Sequence, residues 1–396
     1  MTRMTCRIWC LSAILVPVAA AGALAQSTSP AEQRIAAARR SIAVSPGQHE
    51  RFNDLALAFA RRARETADPA YYDRAEEAIG RSLELAPENF NALKMRTWVL
   101  LGKHEFARAL TLARTLNEQV PDDVLVYGFL TDAHAELGNY EEAEEACQWM
   151  LDMRPGNIPA LTRAAYLREL FGDIEGAIDL MRTAYERSAP GEVEDRAWML
   201  TQLAHLELTA GRTGPADALL DEAIGLVPDY HYALAQLARL RSAQGRHADA
   251  VALLARRYEG APHPENLYAV AEALDGAGRK EEARAAYAEF EAQALRESRG
   301  WDNANRELIF YYADRAQKPV EALKVALMEV ARRQDVYTLD AYAWALHVNG
   351  RQADALQQMD RVLAVGLRDP EVLSRAAAIA AAVDHGPAGT YRDSGR

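Results

Sequence analysis

An alanine that recurs at a nearly constant interval constrains the fold of this 396-residue chain more than any other feature. The steps between successive members of this alanine column are 32, 36, 34, 39, 34, 33, 39 and 33 residues. A unit of that length has room for two short helices, and such a unit must bury its apolar face against the next one. The sequence therefore predicts a stack of helical hairpins, with the alanine column at Ala75, Ala107, Ala143, Ala177, Ala216, Ala250, Ala283, Ala322 and Ala355.

Two other positions keep register with the alanine column. Five residues earlier, glycine fills seven of nine places, where it ends a helix in the left-handed conformation that strains other residues. These places hold Gly102, Gly138, Gly172, Gly211, Gly245, Gly278 and Gly350, with Ala70 and Gln317 in the other two. Four residues after the alanine a mostly apolar position follows, so both side chains lie on one buried helix face. It holds Ile79, Cys147, Met181, Leu220, Leu254, Tyr287 and Met359, with Thr111 and Ala326 as weaker members.

Two stretches match a known repeat in residues as well as in spacing. Residues 137–143 read Leu-Gly-Asn-Tyr-Glu-Glu-Ala, and their unit closes with Arg154-Pro155-Gly156-Asn157. Residues 243–250 read Ala-Gln-Gly-Arg-His-Ala-Asp-Ala, and their unit closes at Pro262. Here the chain resembles tetratricopeptide repeat proteins of the bacterial exported type, over about residues 49–383. The resemblance implies an all-α fold, a right-handed α-solenoid of about nine helix-turn-helix repeats with a helical cap at each end.

The chain departs from the repeat pattern in several places. Positions of the first helix that usually carry an aromatic residue or glycine hold Thr131 and Ala165. The links between helices are longer near residues 65–72, 192–196 and 296–303. These departures affect the repeat borders and leave the predicted architecture unchanged.

The first 25 residues are typical of an export signal. Arg3 and Arg7 flank an uncharged stretch, residues 8–25, which ends in the small-x-small motif Ala23-Leu24-Ala25. We expect cleavage before Gln26 and a periplasmic mature protein without a further membrane-spanning segment. The alternative is an uncleaved anchor, because the uncharged stretch approaches the length that spans a bilayer.

The rest of the chain divides into three parts. Residues 26–48 form a leader and a capping helix, which we expect at residues 31–45. Residues 49–383 form the solenoid, closed by a helix at residues 371–383. Residues 384–396 are rich in glycine and charge, and we expect a disordered tail there.

Composition and motifs argue against several classes of function. The net charge is −12, and no stripe of Lys and Arg is long enough to bind nucleic acid. After export the chain has no cysteine pair, and it contains no His-Glu-x-x-His, phosphate-loop or Gly-x-Ser-x-Gly motif. We therefore predict no catalytic residue, no metal and no cofactor. Cys147 is expected in the core, and His205 is expected to make a hydrogen bond rather than to act as a ligand or base.

The concave face is the predicted binding surface, because the resemblance implies that the first helix of each pair lines it. The marked positions lie six and ten residues before the helix-ending glycine column. Their mixture of aromatic, charged and small side chains suits an extended peptide or a helix. For Tyr311 and Trp344, packing on the next helix is an equal alternative. The predicted groove contains Arg96, Asp132, Tyr166, His205, Arg239, Tyr268, Glu272, Tyr311, Asp340 and Trp344.

Three functions are compatible with these features. The first is a non-enzymatic scaffold or adaptor of the cell envelope that binds a protein or peptide partner in the groove. The second is an accessory subunit of an envelope transport system that binds a small ligand or a metal. The third is an enzyme or an enzyme-regulating subunit. The absence of catalytic and metal-ligand motifs favours the first, and no carboxylate clamp of the Lys/Asn/Arg type is expected.

Overall fold

The computed structural model describes residues 29–384, so the predicted signal peptide (1–25) and nearly all of the predicted tail lie outside the described part. Within that part the chain forms twenty α-helices and one π-helical turn, and it contains no β-strand. In chain order the elements are α1 (Pro30–Val44), α2 (His49–Thr66), α3 (Ala70–Leu85), α4 (Phe90–Gly102), α5 (Phe106–Gln119), α6 (Val124–Glu136), α7 (Tyr140–Met153), α8 (Ile158–Leu170), α9 (Ile174–Arg187), α10 (Val193–Thr209), α11 (Thr213–Leu226), α12 (His231–Ala243), α13 (His247–Gly260), α14 (Pro264–Gly276), α15 (Lys280–Glu297), α16 (Asn305–Phe310), the π-helical turn (Tyr311–Arg315), α17 (Pro319–Val330), α18 (Val336–Val348), α19 (Gln352–Val365) and α20 (Pro370–Asp384). None of these helices is long and apolar enough to cross a membrane.

Helices α2 to α19 form nine pairs, each with a first and a second helix that pack on each other. The column alanines explain the close crossing, because eight of the nine are buried to 1% exposure or less. Seven apolar residues four positions later are buried as well, as the i, i+4 spacing predicts. Helix α1 covers the first pair and α20 the last, within one residue of the expected bounds. The predicted all-α solenoid is therefore the observed architecture.

The second pair corrects the predicted register by two residues. Ala107 is exposed, whereas Ala109 is fully buried. His104, with φ 54°, takes the left-handed position five residues before Ala109. Gly102 serves a different purpose, because a Cβ there would meet the Tyr72 ring at 2.4 Å. With Ala109 in the column, the first two steps of the repeat both become 34 residues.

The solenoid closes on itself, because the ends of three early first helices meet segments that lie six pairs later. The contacts join Lys103 after α4 to Trp301 before α16, Glu136 of α6 to Gln334 before α18, and Gly172 after α8 to Gly366 before α20. The Gln334 N–H donates to the Glu136 carbonyl at 3.1 Å. Since the C-terminal end of a helix carries partial negative charge, a donor from the next turn of the superhelix is favourable there.

The N-terminal helices are joined to the middle of the chain by ion pairs. Arg34 and Arg61 contact Glu192 at 3.1 and 2.9 Å, and Arg64 contacts Glu194 at 3.2 Å. Glu192 directly precedes α10, and Glu194 lies in the first turn of that helix. These contacts and those of the C-terminal segments curve the solenoid, and its concave face borders a partly open cavity.

Candidate binding site

The partly open cavity has a volume of about 520 Å³ and lies where the ends of first helices converge. The C-terminal ends of α2, α4 and α6 form one side of it, and the N-terminal ends of α12, α14 and α16 form the other. Its polar and aromatic lining consists of Arg64, Asp68, Tyr72, His104, Phe106, Thr131, Asp132, Glu136, Arg163, Tyr166, His231, Tyr232, Arg257, His263, Glu265, Asn266, Trp301, Asp302, Arg306 and Arg333. Residues more than 200 positions apart in the sequence therefore share one site.

Carboxylates of the protein hold four of the five arginines in the lining. The ion pairs are Arg64 with Glu194 (3.2 Å) and Asp195 (3.3 Å), Arg163 with Asp132 (2.6 Å), Arg257 with Glu265 (3.0 Å), and Arg333 with Glu136 (2.7 Å) and Asp335 (2.7 Å). Arg306 differs, because it makes no hydrogen bond or ion pair with any residue in the range 29–384. Its guanidinium faces the cavity with its charge unneutralised by direct contact.

Aromatic rings form the apolar part of the wall. Tyr72 meets Trp301 edge to face, with ring centroids 6.2 Å apart. Lys103 stands 5.1 Å from the Trp301 centroid, and Arg333 stands 5.3 Å from that of Phe106. Burial raises the pKa of the Tyr72 hydroxyl to about 12, so this group stays protonated at neutral pH.

Two histidines of the lining are fixed by neighbouring oxygen atoms. His231 Nε2 lies 3.0 Å from the carbonyl oxygen of Arg64, and burial lowers the pKa of His231 to about 4. His231 is therefore a neutral donor at pH 7. His263 Nε2 lies 3.1 Å from Asp302, which occupies that carboxylate.

The ten residues of the predicted groove do not form one continuous surface. Asp132 and Tyr166 line the cavity. His205, Arg239 and Glu272 stand at the same repeat position on α10, α12 and α14, and all three remain accessible to solvent. We call the row of His205, Arg239 and Glu272 the inner face.

A polar chain joins three successive first helices on the inner face. His205 Nε2 lies 2.6 Å from Glu169 of α8, and the Arg239 guanidinium of α12 lies 3.3 Å from His205 Nδ1. The expected role of His205, a hydrogen bond rather than metal ligation, agrees with this geometry. Arg239 is exposed beyond this contact, so it remains free to meet a further acceptor.

Two other members of the predicted groove are buried, and a third is out of register. Tyr268 and Asp340 are 8% and 1% exposed. Asp340 is covered because α20 places Arg375 on it, with a 2.6 Å ion pair. Arg96 does not occupy the predicted repeat position, because the corrected register of the second pair puts Trp98 there. The prediction of an open groove is therefore wrong at Tyr268 and Asp340.

Tyr311 and Trp344 pack mainly on their own neighbours. Tyr311 begins the π-helical turn, stacks on Tyr287 at 5.5 Å, and donates to Glu291 at 3.2 Å. Trp344 donates its indole N–H to Asp314 at 2.8 Å. Packing against a neighbouring helix, the alternative that the sequence left open, describes both.

The repeat pattern does not predict most of the residues that line the cavity, including Trp301, Arg306, Arg333, Tyr232 and His263. These residues lie in links or in the first turn of a helix, outside the repeat positions that mark a concave face. The long link near residues 296–303 was the one available signal, since it carries Trp301 to the cavity.

Metal and thiol chemistry find no support in the described residues. No group of three or more His, Cys, Asp or Glu side chains between residues 29 and 384 is placed to hold a metal ion. Cys147 is 2% exposed in the core, as expected, and burial raises its pKa to about 11. A thiol with that pKa is almost wholly protonated at neutral pH and is a poor nucleophile.

No protein-family model matches the sequence, and no curated protein matches it significantly. Solved structures do match the fold. The human IFIT1 dimer with PPP-AAAA aligns with a TM-score of 0.51 and 14% identity, over 85% of this chain and 95% of that chain. A monomeric mutant of IFIT1 aligns with a TM-score of 0.52 and 14% identity, over 79% and 80%. Cut9 of the Cut9–Hcn1 complex aligns with a TM-score of 0.47 and 13% identity, over 82% of this chain but only 55% of its own length.

These neighbours are tetratricopeptide repeat proteins. At such low identity the likeness to the two IFIT1 structures, whose TM-scores are 0.51 and 0.52, establishes the fold alone. Together with the nine helix pairs and the buried alanine column, it shows that this chain is a tetratricopeptide-type α-solenoid.

Proposed function

We propose that this chain is a non-enzymatic protein-binding scaffold of the bacterial cell envelope. The observation that carries the proposal is the inner face, where successive first helices present accessible His205, Arg239 and Glu272 in one row. Side chains of alternating charge at the repeat spacing suit a peptide or helix of a partner protein, because they fix its register and orientation.

In-cell crosslinking tests this role. A photoreactive residue replaces Arg239 or Glu272 in turn, and the matched controls replace Glu145 of α7 and Arg284 of α15, which are exposed on second helices. We expect one protein to crosslink to the two inner-face positions and not to the controls. The substitution Arg239→Glu should reduce the crosslink formed at position 272. Equal crosslinking from the controls, or none from the inner face, would contradict the proposal.

The envelope location rests on the N-terminal sequence features. We expect the mature protein in the periplasmic fraction, with Gln26 as its first residue. N-terminal sequencing of the protein from fractionated cells measures this directly. An intact N-terminus in the membrane fraction would support the uncleaved anchor instead.

A further inference from the structure

Arg306 is the only arginine of the cavity lining without a protein partner among the described residues. A guanidinium is always charged, carries five N–H donors, and is stable away from bulk water only when acceptors surround it. The acids that act on it electrostatically are Glu307, Asp335 and Glu136, and none of them forms an ion pair with it. Glu136 and Asp335 are already engaged by Arg333 at 2.7 Å each. No carboxylate of residues 29–384 lies within ion-pair distance of the guanidinium, which leaves that position open to an anion in the cavity.

Other side chains around the cavity present donors that are also unused within residues 29–384. The hydroxyls of Tyr72, Tyr166 and Tyr232 and the indole N–H of Trp301 make no hydrogen bond to a described residue. Burial raises the pKa of each of the three tyrosines, so their hydroxyls keep their protons. Unpaired donors on several sides of one cavity call for a molecule rich in acceptors.

The size and the apolar walls of the cavity indicate the size and shape of the rest of the ligand. A volume of about 520 Å³ falls in the range of sites for small molecules. Tyr72 and Trp301 stand edge to face and provide flat apolar surface beside the donors. Such surfaces favour a planar body, since aromatic side chains hold flat groups through stacking or edge contacts.

We infer that the central cavity binds a small organic anion, whose single carboxylate or phosphate group pairs with Arg306 and whose planar body lies against Tyr72 and Trp301. This role goes beyond the proposed binding of a partner on the inner face and does not depend on it. Arg306 and Trp301 belong to the cavity, whereas Arg239 and Glu272 do not line it. The two sites are therefore separable by substitution.

Calorimetric titration of the full mature chain tests the inference with three probes. Benzoate carries a carboxylate on a phenyl ring, and phenyl phosphate carries a phosphate on the same ring. Benzamide is the neutral counterpart of benzoate. We expect one site per chain for at least one anionic probe, and at least tenfold weaker binding of benzamide. The tighter of the two anions distinguishes a carboxylate ligand from a phosphate ligand.

Three variants complete the test. Arg306→Met should lower the affinity for the anionic probe at least tenfold, and Arg306→Lys should lower it less. Arg284→Met, on the exposed face of α15, should leave the affinity unchanged. Arg306→Met breaks no ion pair, whereas Arg257→Met removes the 3.0 Å ion pair of Glu265, so Arg257→Met should unfold at the lower temperature of the two. Equal binding of benzamide, unchanged affinity in Arg306→Met, or no binding of either anion at millimolar concentration would overturn the inference.

Discussion

At the scale of the residue, burial decides the charge of the groups around the cavity. His231 is 5% exposed and donates to the carbonyl oxygen of Arg64, which ties α12 to the C-terminal end of α2. Burial removes the water that would stabilise an imidazolium, so the pKa falls to about 4. Protonation would keep the Nε2–H donor but would bury a charge, so it costs stability.

The stability of the protein should depend on pH through His231. Its folded pKa lies below the ordinary value of 6.5, so the unfolded chain binds more protons between pH 4 and pH 6.5. The contribution of neutral His231 to the free energy of unfolding is complete above pH 6.5 and is lost as the pH falls to 4. Relative to His231→Gln, which keeps a donor but does not titrate, the wild type should lose on the order of 3 kcal/mol over that window. Urea unfolding at pH 7, 5.5 and 4 measures the difference, and a constant difference would exclude this role.

Substitutions at two glycines distinguish the stability lost through backbone strain from the stability lost when closure of the superhelix is disturbed. Gly138 and Gly245 have φ of 77° and 73°, so alanine at either site loses about 1 kcal/mol. A Cβ at Gly138 would in addition meet the Gln334 carbonyl oxygen at 2.7 Å, whereas a Cβ at Gly245 has nothing within 4 Å. We expect Gly138→Ala to lose roughly 1–3 kcal/mol more than Gly245→Ala. Chemical unfolding of the two variants checks this, and equal losses would show that the contact with Gln334 does not form.

At the scale of the element, the helix pairs follow from the sequence because each repeat carries its own signals. Gly138, Gly172, Gly211 and Gly245 all adopt the left-handed conformation that ends a first helix. The one shifted register arose because His104 adopts that conformation without being glycine, while Gly102 is required by the Tyr72 ring. Glycine marks the turn statistically, but tertiary packing can require glycine for a different reason.

The closing helix α20 should depend on one buried ion pair. The Asp340 side chain is 2% exposed and lies 2.6 Å from Arg375. Arg375→Met leaves the carboxylate buried without a partner, so we expect a loss of roughly 3 kcal/mol. The double variant Asp340→Asn with Arg375→Met should recover much of that loss. Thermal unfolding of the three proteins measures both effects, and a double variant as unstable as the single one would show that the charge is not the cause.

At the scale of the whole molecule, closure determines which predicted site residues come together. Asp132 and Tyr166 reach the cavity as the repeat positions predict, because they lie on adjacent first helices. Arg333 and Trp301 could not be placed from the sequence, since they meet the ends of α6 and α4 through contacts about 200 residues apart in the chain. Arg306 could not be placed either, because it lies in the first turn of α16, outside the repeat positions. Periodicity defines the pairs, but the curvature depends on irregular links such as residues 296–303.

Closure also explains why a regular solenoid of this length has no long open groove. The segments before α16, α18 and α20 bond to the ends of α4, α6 and α8 and occupy space that a shallower curve would leave open. The Val336 N–H donates to the Tyr140 hydroxyl at 2.9 Å, next to the backbone bond between Gln334 and Glu136. What remains accessible is the inner face and the cavity.

The central claim, closure in solution, is tested most directly by a distance between spin labels at positions 141 and 331. Both positions are exposed and flank the contact between Glu136 and Gln334, and the native Cys147 is buried and will not be labelled. Pulsed electron paramagnetic resonance should give one short, narrow distance distribution, which broadens and lengthens in Gly138→Ala but not in Gly245→Ala. A long distribution in the otherwise unaltered chain would show an open solenoid and contradict this account.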